Sequence, residues 1–427
     1  MKELKKGYKM SKKNFFASLK KEVARIDQAA VSKRFEHLIE DFNDDPSPKA
    51  IIDGKAISIF NSNDYLGLRH HQALKKAEHE ATAKLGTGPG AVRFISGSFA
   101  VHRQLEKKLA KFHGRDDAMI FSSAFATNLA VIFSLVKGQS KDSLISGDTL
   151  VISDELNHRS IIDGVRLANL SSEAKLIFKH LDANSLEKIL KQNLNKFQRV
   201  VVITDGVFSM LGEYQDLKAL RAIIDQYDEK FKEGILLIVD DCHGVAAFGK
   251  TGRGTEEVTN TKADVLIGTL GKGFGADGGY VVANQTIIDY LRESAATYIY
   301  SNSISPGCAS AAGAALDVLV SDEGQQMLNT LAKNLIYLKK ELKNKGFKFA
   351  ANSIHPIQAV LIGDTAKTRD LTEAMYQKGF LITNINYPVV PKGRDEIRVQ
   401  LSAAHTKKDI DNFVKALSET AKKLEII

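Results

Sequence analysis

The stretch VLIGTLGKGFG, residues 265–275, decides the fold of this chain, because it joins an apolar run to a lysine set among glycines. Residues 265–267 have the composition of a buried strand. Lys272 follows with a glycine on each side, so the backbone around its amine is open, and the hydroxyl of Thr269 lies three residues earlier. A lysine in this position has little to pack against and is well placed to react with an aldehyde.

A second apolar run, residues 236–239, leads directly into Asp240. An acid-tipped strand beside a lysine-tipped strand supplies two groups that pyridoxal 5'-phosphate (PLP) requires. The amine binds the cofactor aldehyde covalently, and the carboxylate keeps the pyridine nitrogen protonated. A carboxylate about 4 Å from a pyridinium is favourable by on the order of 4 kcal/mol at an effective dielectric constant near 20. The sequence therefore predicts a PLP-dependent enzyme.

Short apolar runs alternate with amphipathic helices along most of the chain, which predicts an α/β fold. The predicted strands are residues 118–121, 150–153, 200–204, 236–239 and 265–268. Several of them are apolar throughout, as is typical of parallel strands covered on both faces. A further strand, residues 279–283, follows Lys272 too closely for a crossover helix, so we expect it to be antiparallel to its neighbour.

Three segments are predicted along the chain. Residues 1–58 form an N-terminal arm with a helix over 14–42, based on apolar residues at helical spacing. Residues 59–305 form a large cofactor-binding domain. Residues 306–427 form a smaller C-terminal α+β domain that opens with a helix over 309–320.

The composition limits location and partners. The chain has 427 residues and a net charge of +8, and its first 21 residues hold eight lysines. We expect a solvated arm there rather than a nucleic-acid-binding segment. These residues contain no arginine, no apolar segment and no small-residue cleavage site, so we expect no signal or transit peptide. Two cysteines, Cys242 and Cys308, cannot form a disulfide framework, so we expect a reducing, cytoplasmic location. No apolar run is long enough to predict a membrane span.

Polar residues follow nearly every predicted strand. They are the small residues 122–128, then His158, Ser209, Asp240 with His243, and Thr269 with Lys272. Ligands of open parallel sheets bind beyond the carboxyl ends of the strands. Taken singly, each of these residues is as well explained by capping or packing as by catalysis. Their joint occurrence at strand ends favours one PLP site, in which the helix after residue 121 receives the phosphate at its amino end.

Two rival interpretations of these motifs fail. Residues 271–276 match the dinucleotide pattern G-x-G-x-x-A, with Asp289 as a possible ribose ligand, but this fingerprint must open a helix and a strand follows at once. Asp240, Asp241, Cys242 and His243 could be taken for a thiol–histidine pair or a metal site. Adjacent residues of an extended chain point to opposite faces, so we expect neither, and no metal.

From about residue 61 to its C-terminus the chain resembles the α-oxoamine synthases, PLP-dependent enzymes that condense an amino acid with an acyl-CoA. The resemblance rests on NDYLGL at 63–68, DGVFSM at 205–210, VDDCHG at 239–244 and TLGKG at 269–273. It implies the aminotransferase class I/II fold (PLP fold type I), with a mostly parallel sheet of the seven-stranded type. Four further motifs are most similar to the glycine C-acetyltransferase (2-amino-3-ketobutyrate CoA ligase) branch: NHRSIIDG at 157–164, YSNS at 300–303, YPVVPKG at 387–393 and QLSAAHT at 400–406.

The resemblance also implies a role for each site residue. The catalytic residues would be Lys272, which holds the cofactor and moves the substrate proton, Asp240 at the pyridine nitrogen, His243 at the ring hydroxyl and His158 stacked on the ring. The remaining cofactor contacts would be Ser209 near the ring hydroxyl, then Ala124, Phe125 and Thr269 at the phosphate, joined there by Ser301 and Asn302 of a second subunit. Arg398 and Asn63 would bind the substrate carboxylate, for which a planar guanidinium is well suited.

The activity implied is that of a transferase joining glycine and acetyl-CoA to give 2-amino-3-oxobutyrate and CoA, a step of threonine breakdown. Its partners would be glycine or a similar amino acid, an acyl-CoA and a second copy of the chain in a homodimer with a shared active site. Two alternatives stay open. One is another α-oxoamine synthase that uses a longer acyl thioester, such as 8-amino-7-oxononanoate synthase or serine palmitoyltransferase. The other is a non-catalytic binding protein on the same fold.

Overall fold

The computed structural model describes residues 2–28, 32–42, 48–140, 142–145, 147–387 and 390–427, with side chains from residue 12 onward. Contacts between Cα atoms separate two compact units. The first holds the described residues before residue 43 together with 49–57, and the second holds residue 48 and residues 58–427. A further domain boundary near residue 305 stays a prediction.

The first unit contains a helix and two antiparallel strands. Helix α1 spans Lys2–Gln28, and strand β1, Ile39–Phe42, pairs with β2, Lys49–Ile52. The predicted helix over 14–42 is therefore wrong over residues 32–42, and its residues 29–31 lie outside the described residues. Its helical spacing of apolar residues stops at Ile26, and the pairing of Ile39 with Ile52 gives the later residues a partner strand that local periodicity does not reveal. Strand β3, Lys55–Ile59, follows.

A seven-stranded sheet forms the centre of the second unit. Its strands are β4 Asp117–Phe121, β5 Thr149–Asp154, β6 Lys175–Phe178, β7 Arg199–Asp205, β8 Ile235–Asp240, β9 Val265–Thr269 and β10 Gly279–Ala283. Their order is β4-β10-β9-β8-β7-β5-β6. Only β10 runs antiparallel to its neighbours, β4 and β9, as predicted. The mostly parallel sheet is thus confirmed, whereas the edge strand β6 was missed.

Helices cover both faces of this sheet. They are α2 Gln72–Leu85, α3 Ala100–His113, α4 Ala124–Lys137, α5 Arg159–Leu167, α6 Ala183–Gln192, α7 Leu217–Tyr227, α8 Thr255–Thr259, α9 Gln285–Ser294, α10 Ala296–Ile299 and α11 Pro306–Leu319. Successive residues of β7 alternate between two hydrophobic clusters: Val200 and Val202 belong to one, Val201 and Ile203 to the other. Burial on both faces explains why the strand is apolar throughout.

The C-terminal part combines helices with a small antiparallel sheet. Its elements are α12 Asp322–Asn344, β11 Lys348–Phe349, β12 Ile357–Leu361, α13 Thr365–Gln377, β13 Phe380–Leu381, β14 Thr383–Ile385, β15 Glu396–Gln400 and α14 Lys407–Lys423. The sheet order is β11-β12-β15-β14, and β13 pairs in parallel with Ser58 and Ile59 of β3. The α+β secondary structure predicted here is confirmed. None of the helices described for this chain is long and apolar enough to span a membrane.

Candidate active site

The strand register brings the predicted polar residues to one edge of the central sheet. Asp205, the last residue of β7, lies opposite Asp240, the last residue of β8. On the other side, Thr269 of β9 and Phe121 of β4 both lie opposite Gly279 of β10. The segments that follow these strands therefore start side by side, as expected for a ligand site beyond the strand ends.

Asp240 is buried at this edge, and each of its carboxylate oxygens accepts one hydrogen bond. Its Oδ2 accepts a hydrogen bond from Asn128 Nδ2 of α4 at 2.6 Å, and its Oδ1 accepts one from the backbone N–H of Cys242 at 3.0 Å. The next carboxylate, that of Asp241, turns away and binds the backbone and hydroxyl of Thr255 at 2.6 and 2.7 Å. The two neighbouring acids thus serve different purposes: Asp240 belongs to the site, whereas Asp241 holds a loop.

His158 caps helix α5 and lies close to Asp240. Its backbone N–H donates to Asp205 Oδ2 at 2.9 Å, and its ring Nδ1 lies 2.7 Å from the hydroxyl of Ser160. The edge of Phe125 faces the ring at a centroid distance of 6.4 Å. Burial lowers the pKa of His158. The charge of Asp240 raises this pKa, whereas the charge of Lys272 lowers it further. The ring is therefore neutral near pH 7.

His243 is buried and held on two sides. Its Nδ1 lies 2.7 Å from the hydroxyl of Tyr65, and its backbone oxygen is 2.8 Å from His355 Nε2. Burial holds the pKa of His243 well below its usual range, and the charge of Lys272 adds to this effect. A neutral ring whose Nδ1 is paired with a phenol is a fixed hydrogen-bonding group at the sheet edge.

Lys272 lies half-buried among these residues. Besides the effect of burial, its charge lowers the pKa of both His158 and His243 and opposes the rise in the pKa of Asp205. No carboxylate within the described ranges forms an ion pair with that amine. An amine without a paired acid keeps its nitrogen available for an aldehyde.

The predicted phosphate contacts lie beside the start of α4. A Cβ added to Gly279 would lie 2.3 Å from the backbone N of Ala124, so β10 approaches this helix as closely as a glycine allows. Thr269 lies opposite the same glycine, and its hydroxyl bonds to the backbone of Gly271 and Gly278. Ser123 caps the helix through Ala126 N at 3.1 Å, which leaves the first N–H groups, including that of Phe125, for an anion.

Arg398 of β15 reaches the site from the C-terminal sheet. Its Nη1 donates to the backbone oxygen of Ser209 at 2.9 Å, whereas its Nε is buried and has no hydrogen-bond partner among the described residues. Asn63 lies nearby, since its Oδ1 accepts from Gln400 Nε2 at 2.6 Å, two residues along the same strand. A buried guanidinium with an unused N–H is suited to a carboxylate ligand.

Ser301 and Asn302 are the two predicted residues that the structure does not bring into this cluster. They follow α10, Asn302 is exposed, and no hydrogen bond among the described residues connects either to the cluster. A contribution from a second subunit stays a prediction.

The comparisons with known proteins identify the family of the chain. The family model of aminotransferase class I and II matches residues 56–417. The chain is 36% identical over 412 residues to 8-amino-7-oxononanoate synthase of Thermoanaerobacter pseudethanolicus, which covers 96% of this chain and 98% of that protein. Serine palmitoyltransferase from S. paucimobilis has a TM-score of 0.85 at 26% identity, covering 97% and 99% of the two chains. The 8-amino-7-oxononanoate synthase structure from Francisella tularensis has a TM-score of 0.69 at 25% identity, covering 87% and 99%.

The chain belongs to the α-oxoamine synthases. The family predicted from the motifs, the PLP fold type I and PLP as cofactor are thereby confirmed. The residues at the sheet edge of this α-oxoamine synthase fit the cofactor: an unpaired lysine amine, a buried carboxylate, a neutral imidazole and the open start of a helix. The individual roles of these residues stay predictions.

Several residues of this α-oxoamine synthase site escaped the sequence interpretation. Asn128 and Ser160 connect Asp240 to His158, and Tyr65 supports His243. Gln400 holds Asn63. The available signal was weak: Asn128 is a buried polar residue of the mostly apolar helix α4, and a buried polar residue of this kind needs a partner.

A charged cluster supports the loop that carries Ser209. His180 Nδ1 lies 3.0 Å from Asp154 Oδ1, and its Nε2 lies 3.3 Å from Glu213 Oε2 of that loop. Burial lowers the pKa of His180, but the hydrogen bonds to Asp154 and Glu213 outweigh it and raise the pKa to about 9. The histidine is therefore cationic at neutral pH and ties the loop to the end of β5.

We expect this cluster to make stability pH-dependent. A histidine whose pKa rises from about 6.5 to about 9 on folding stabilises the protein fully below pH 6.5, and this stability is lost as the pH rises through 9. After allowance for screening by water, the amount is about 2 kcal/mol. In urea unfolding, the difference in the free energy of unfolding between the parent and His180→Gln should shrink by that amount between pH 6.5 and pH 10. His79→Gln, at an exposed histidine, is the control; a pH-independent difference for His180→Gln would contradict the prediction.

Proposed function

We propose that this α-oxoamine synthase joins alanine to a seven-carbon dicarboxylic acyl thioester to form 8-amino-7-oxononanoate. The observation that carries this choice is the 36% identity to an 8-amino-7-oxononanoate synthase along almost the whole of both chains. The product name defines the substrates: its carbons 8 and 9 correspond to the Cα and methyl of alanine, and its carbons 1 to 7 to the acyl chain. The branch predicted from the motifs, glycine with acetyl-CoA, is not indicated by these relatives.

The reaction breaks the bond from the alanine Cα to its carboxylate, which leaves as carbon dioxide. The Cα bonds to the thioester carbonyl carbon, and the thiol departs with a proton. PLP supplies the electron sink that makes the Cα carbanion accessible. The proposed tasks of the protein are to bind the alanine carboxylate at Arg398, to move the Cα proton through Lys272 Nζ and to keep the pyridine nitrogen protonated through Asp240.

Glycine with acetyl-CoA is the second candidate, because the motifs at 157–164, 300–303 and 400–406 favour it. Purified protein should be assayed with glycine, alanine and serine against acetyl, heptanedioyl and palmitoyl thioesters. Alanine with the heptanedioyl thioester is expected to have a kcat/KM at least about 100-fold above the other pairs, with one carbon dioxide released per thiol. A maximum for glycine with acetyl-CoA would replace the proposal by the second candidate. Salt-sensitive DNA binding without any turnover would favour a binding protein instead.

Arg398 provides a test of the amino-acid site. Arg398→Lys keeps the charge but loses the planar pair of N–H donors, so the KM for the amino acid should rise about 10- to 100-fold while the KM for the thioester changes little. Initial rates with each substrate varied in turn measure this. Arg394→Ala, at an exposed arginine four residues away, should behave as the parent does. Equal increases in both KM values would mean that Arg398 does not bind the carboxylate.

We also propose that the protein is cytoplasmic and works as a homodimer in which Ser301 and Asn302 complete the phosphate site of the partner. The support is that the cluster described above has a helix start, Thr269 and backbone N–H groups at the phosphate position, whereas Ser301 and Asn302 of the same chain have no hydrogen bond to it among the described residues. A monomeric mass by sedimentation at assay concentration would contradict this proposal.

A further inference from the structure

A hydrogen-bond chain inside the protein connects the two groups expected to contact the cofactor ring. Asp240 Oδ2 accepts from Asn128 Nδ2 at 2.6 Å, and the same nitrogen lies 3.0 Å from Ser160 Oγ. Ser160 Oγ in turn lies 2.7 Å from His158 Nδ1. Asn128 and Ser160 are both buried, at 1% exposure each, so no competing water is expected at these bonds.

The carboxylate decides the direction of every bond in this chain. An ionised aspartate can only accept, so the group of Asn128 that faces Asp240 must be the NH₂ group and not the oxygen. Its two hydrogens are then used by Asp240 and by Ser160 Oγ. The amide oxygen is left buried without a partner among the described residues. Turning the amide over would instead place that oxygen 2.6 Å from the negatively charged Oδ2 of Asp240.

The hydroxyl of Ser160 must therefore donate to the histidine. Its oxygen accepts from Asn128, and its one hydrogen is free to point at His158 Nδ1. The backbone N–H of Ser160 also points at Nδ1, at 3.3 Å. With two donors aimed at it, Nδ1 carries no proton, and the neutral ring holds its hydrogen on Nε2.

The surroundings of His158 favour the same state. The titratable groups around it are Asp240 on β8, Lys272 after β9 and Asp205 on β7, together with neutral His243. Burial and the lysine charge lower the pKa of His158. Its Nε2 has no hydrogen-bond partner among the described residues, so the N–H there is available to a ligand.

We propose that Asn128 and Ser160 are positioning residues that hold His158 as the neutral tautomer with its hydrogen on Nε2. This makes His158 a hydrogen-bond donor towards the reacting substrate. The identity of the acceptor, the thioester carbonyl oxygen on which negative charge develops, rests on the proposed function. The tautomer itself depends only on residues of this chain.

Nitrogen-15 NMR of the histidine-labelled holoenzyme, without substrates, tests the tautomer directly. We expect the parent to show His158 Nδ1 unprotonated and Nε2 protonated at pH 8, with His158→Gln used to assign the signals. Ser160→Ala should shift His158 towards a mixture of tautomers, and Ser160→Thr, which keeps the hydroxyl, should restore the parent pattern. A protonated Nδ1 in the parent would overturn the proposal, whether or not the variants fold.

Turnover provides the second measurement. Ser160→Ala should lower kcat about 10- to 100-fold with little change in the KM for the amino acid, since His158 would no longer present a fixed donor. Its melting temperature should stay within a few degrees of the parent value. A parent-like tautomer and a parent-like kcat in Ser160→Ala would contradict the proposal. Because the NMR result needs no acyl donor, it stands or fails independently of which thioester the enzyme uses.

Discussion

Lys272→Ala should lower kcat/KM for thioester condensation by about 10⁴-fold, the upper end of what one positioned proton-transfer group contributes. The reason is that the amine lies at the sheet edge without a paired carboxylate among the described residues and is proposed both to hold the cofactor and to move the Cα proton. Two measurements check it: initial rates, and intact mass after borohydride reduction. The parent should gain one reduced cofactor per chain and the variant none.

The control for this variant is Lys250→Ala, at an exposed lysine, which should keep the parent rate and the parent adduct. Mixing Lys272→Ala with a Ser301→Ala/Asn302→Ala double variant also tests the shared site. If the dimer proposal is right, mixed dimers contain one intact site and recover part of the activity. Parent-like turnover or a parent-like adduct in Lys272→Ala would show that the cofactor is not attached at this residue.

Asp240→Asn should lower kcat by about 10³-fold, because a neutral amide cannot supply the roughly 4 kcal/mol by which a nearby carboxylate stabilises a protonated ring. The side chain keeps its size, so the hydrogen bond from the Cys242 N–H can persist. The visible absorbance spectrum of the bound cofactor should also differ between the variant and the parent. Steady-state kinetics and absorbance spectra of the purified variant measure both.

The neighbouring residue offers a matched control. Burial raises the pKa of Asp241 to about 8, so its carboxyl is largely neutral at pH 7, and Asp241→Asn changes little charge. It should lower the melting temperature through its contacts with Thr255 and keep kcat within about threefold of the parent value. If both variants lost activity equally, the effect of Asp240→Asn would be structural.

The strands of the central sheet could be predicted because each carries its own signal. Runs such as 200–204 and 265–268 are apolar throughout, and burial on both faces requires this of a parallel strand. The antiparallel direction of β10 followed from the short connection after Lys272. The edge strand β6 was missed because it is short and partly exposed, so its pattern is neither continuous nor regular.

The N-terminal helix shows where local patterns fail. Apolar residues at helical spacing correctly predicted part of α1, but residues 39–42 pair with 49–52 as a strand. Strand pairing depends on a partner strand elsewhere in the chain, and the local spacing of apolar residues does not reveal that partner. The hydrogen bonds in the site likewise join residues that are far apart in the sequence. Asn128 and Asp240 are 112 residues apart, and Arg398 and Ser209 are 189 residues apart.

The amino-acid sequence alone determined the cofactor and the family of this protein, because a lysine among glycines and an acid at a strand end are local features that only a few reactions need together. It also determined the positions of six of the seven central strands, since each of these buried strands must be apolar over its own length. Only the tertiary structure decided which neutral and charged states those residues adopt. Burial, strand register and partners such as Asn128, Ser160 and Tyr65 set these states, and they come from distant parts of the chain.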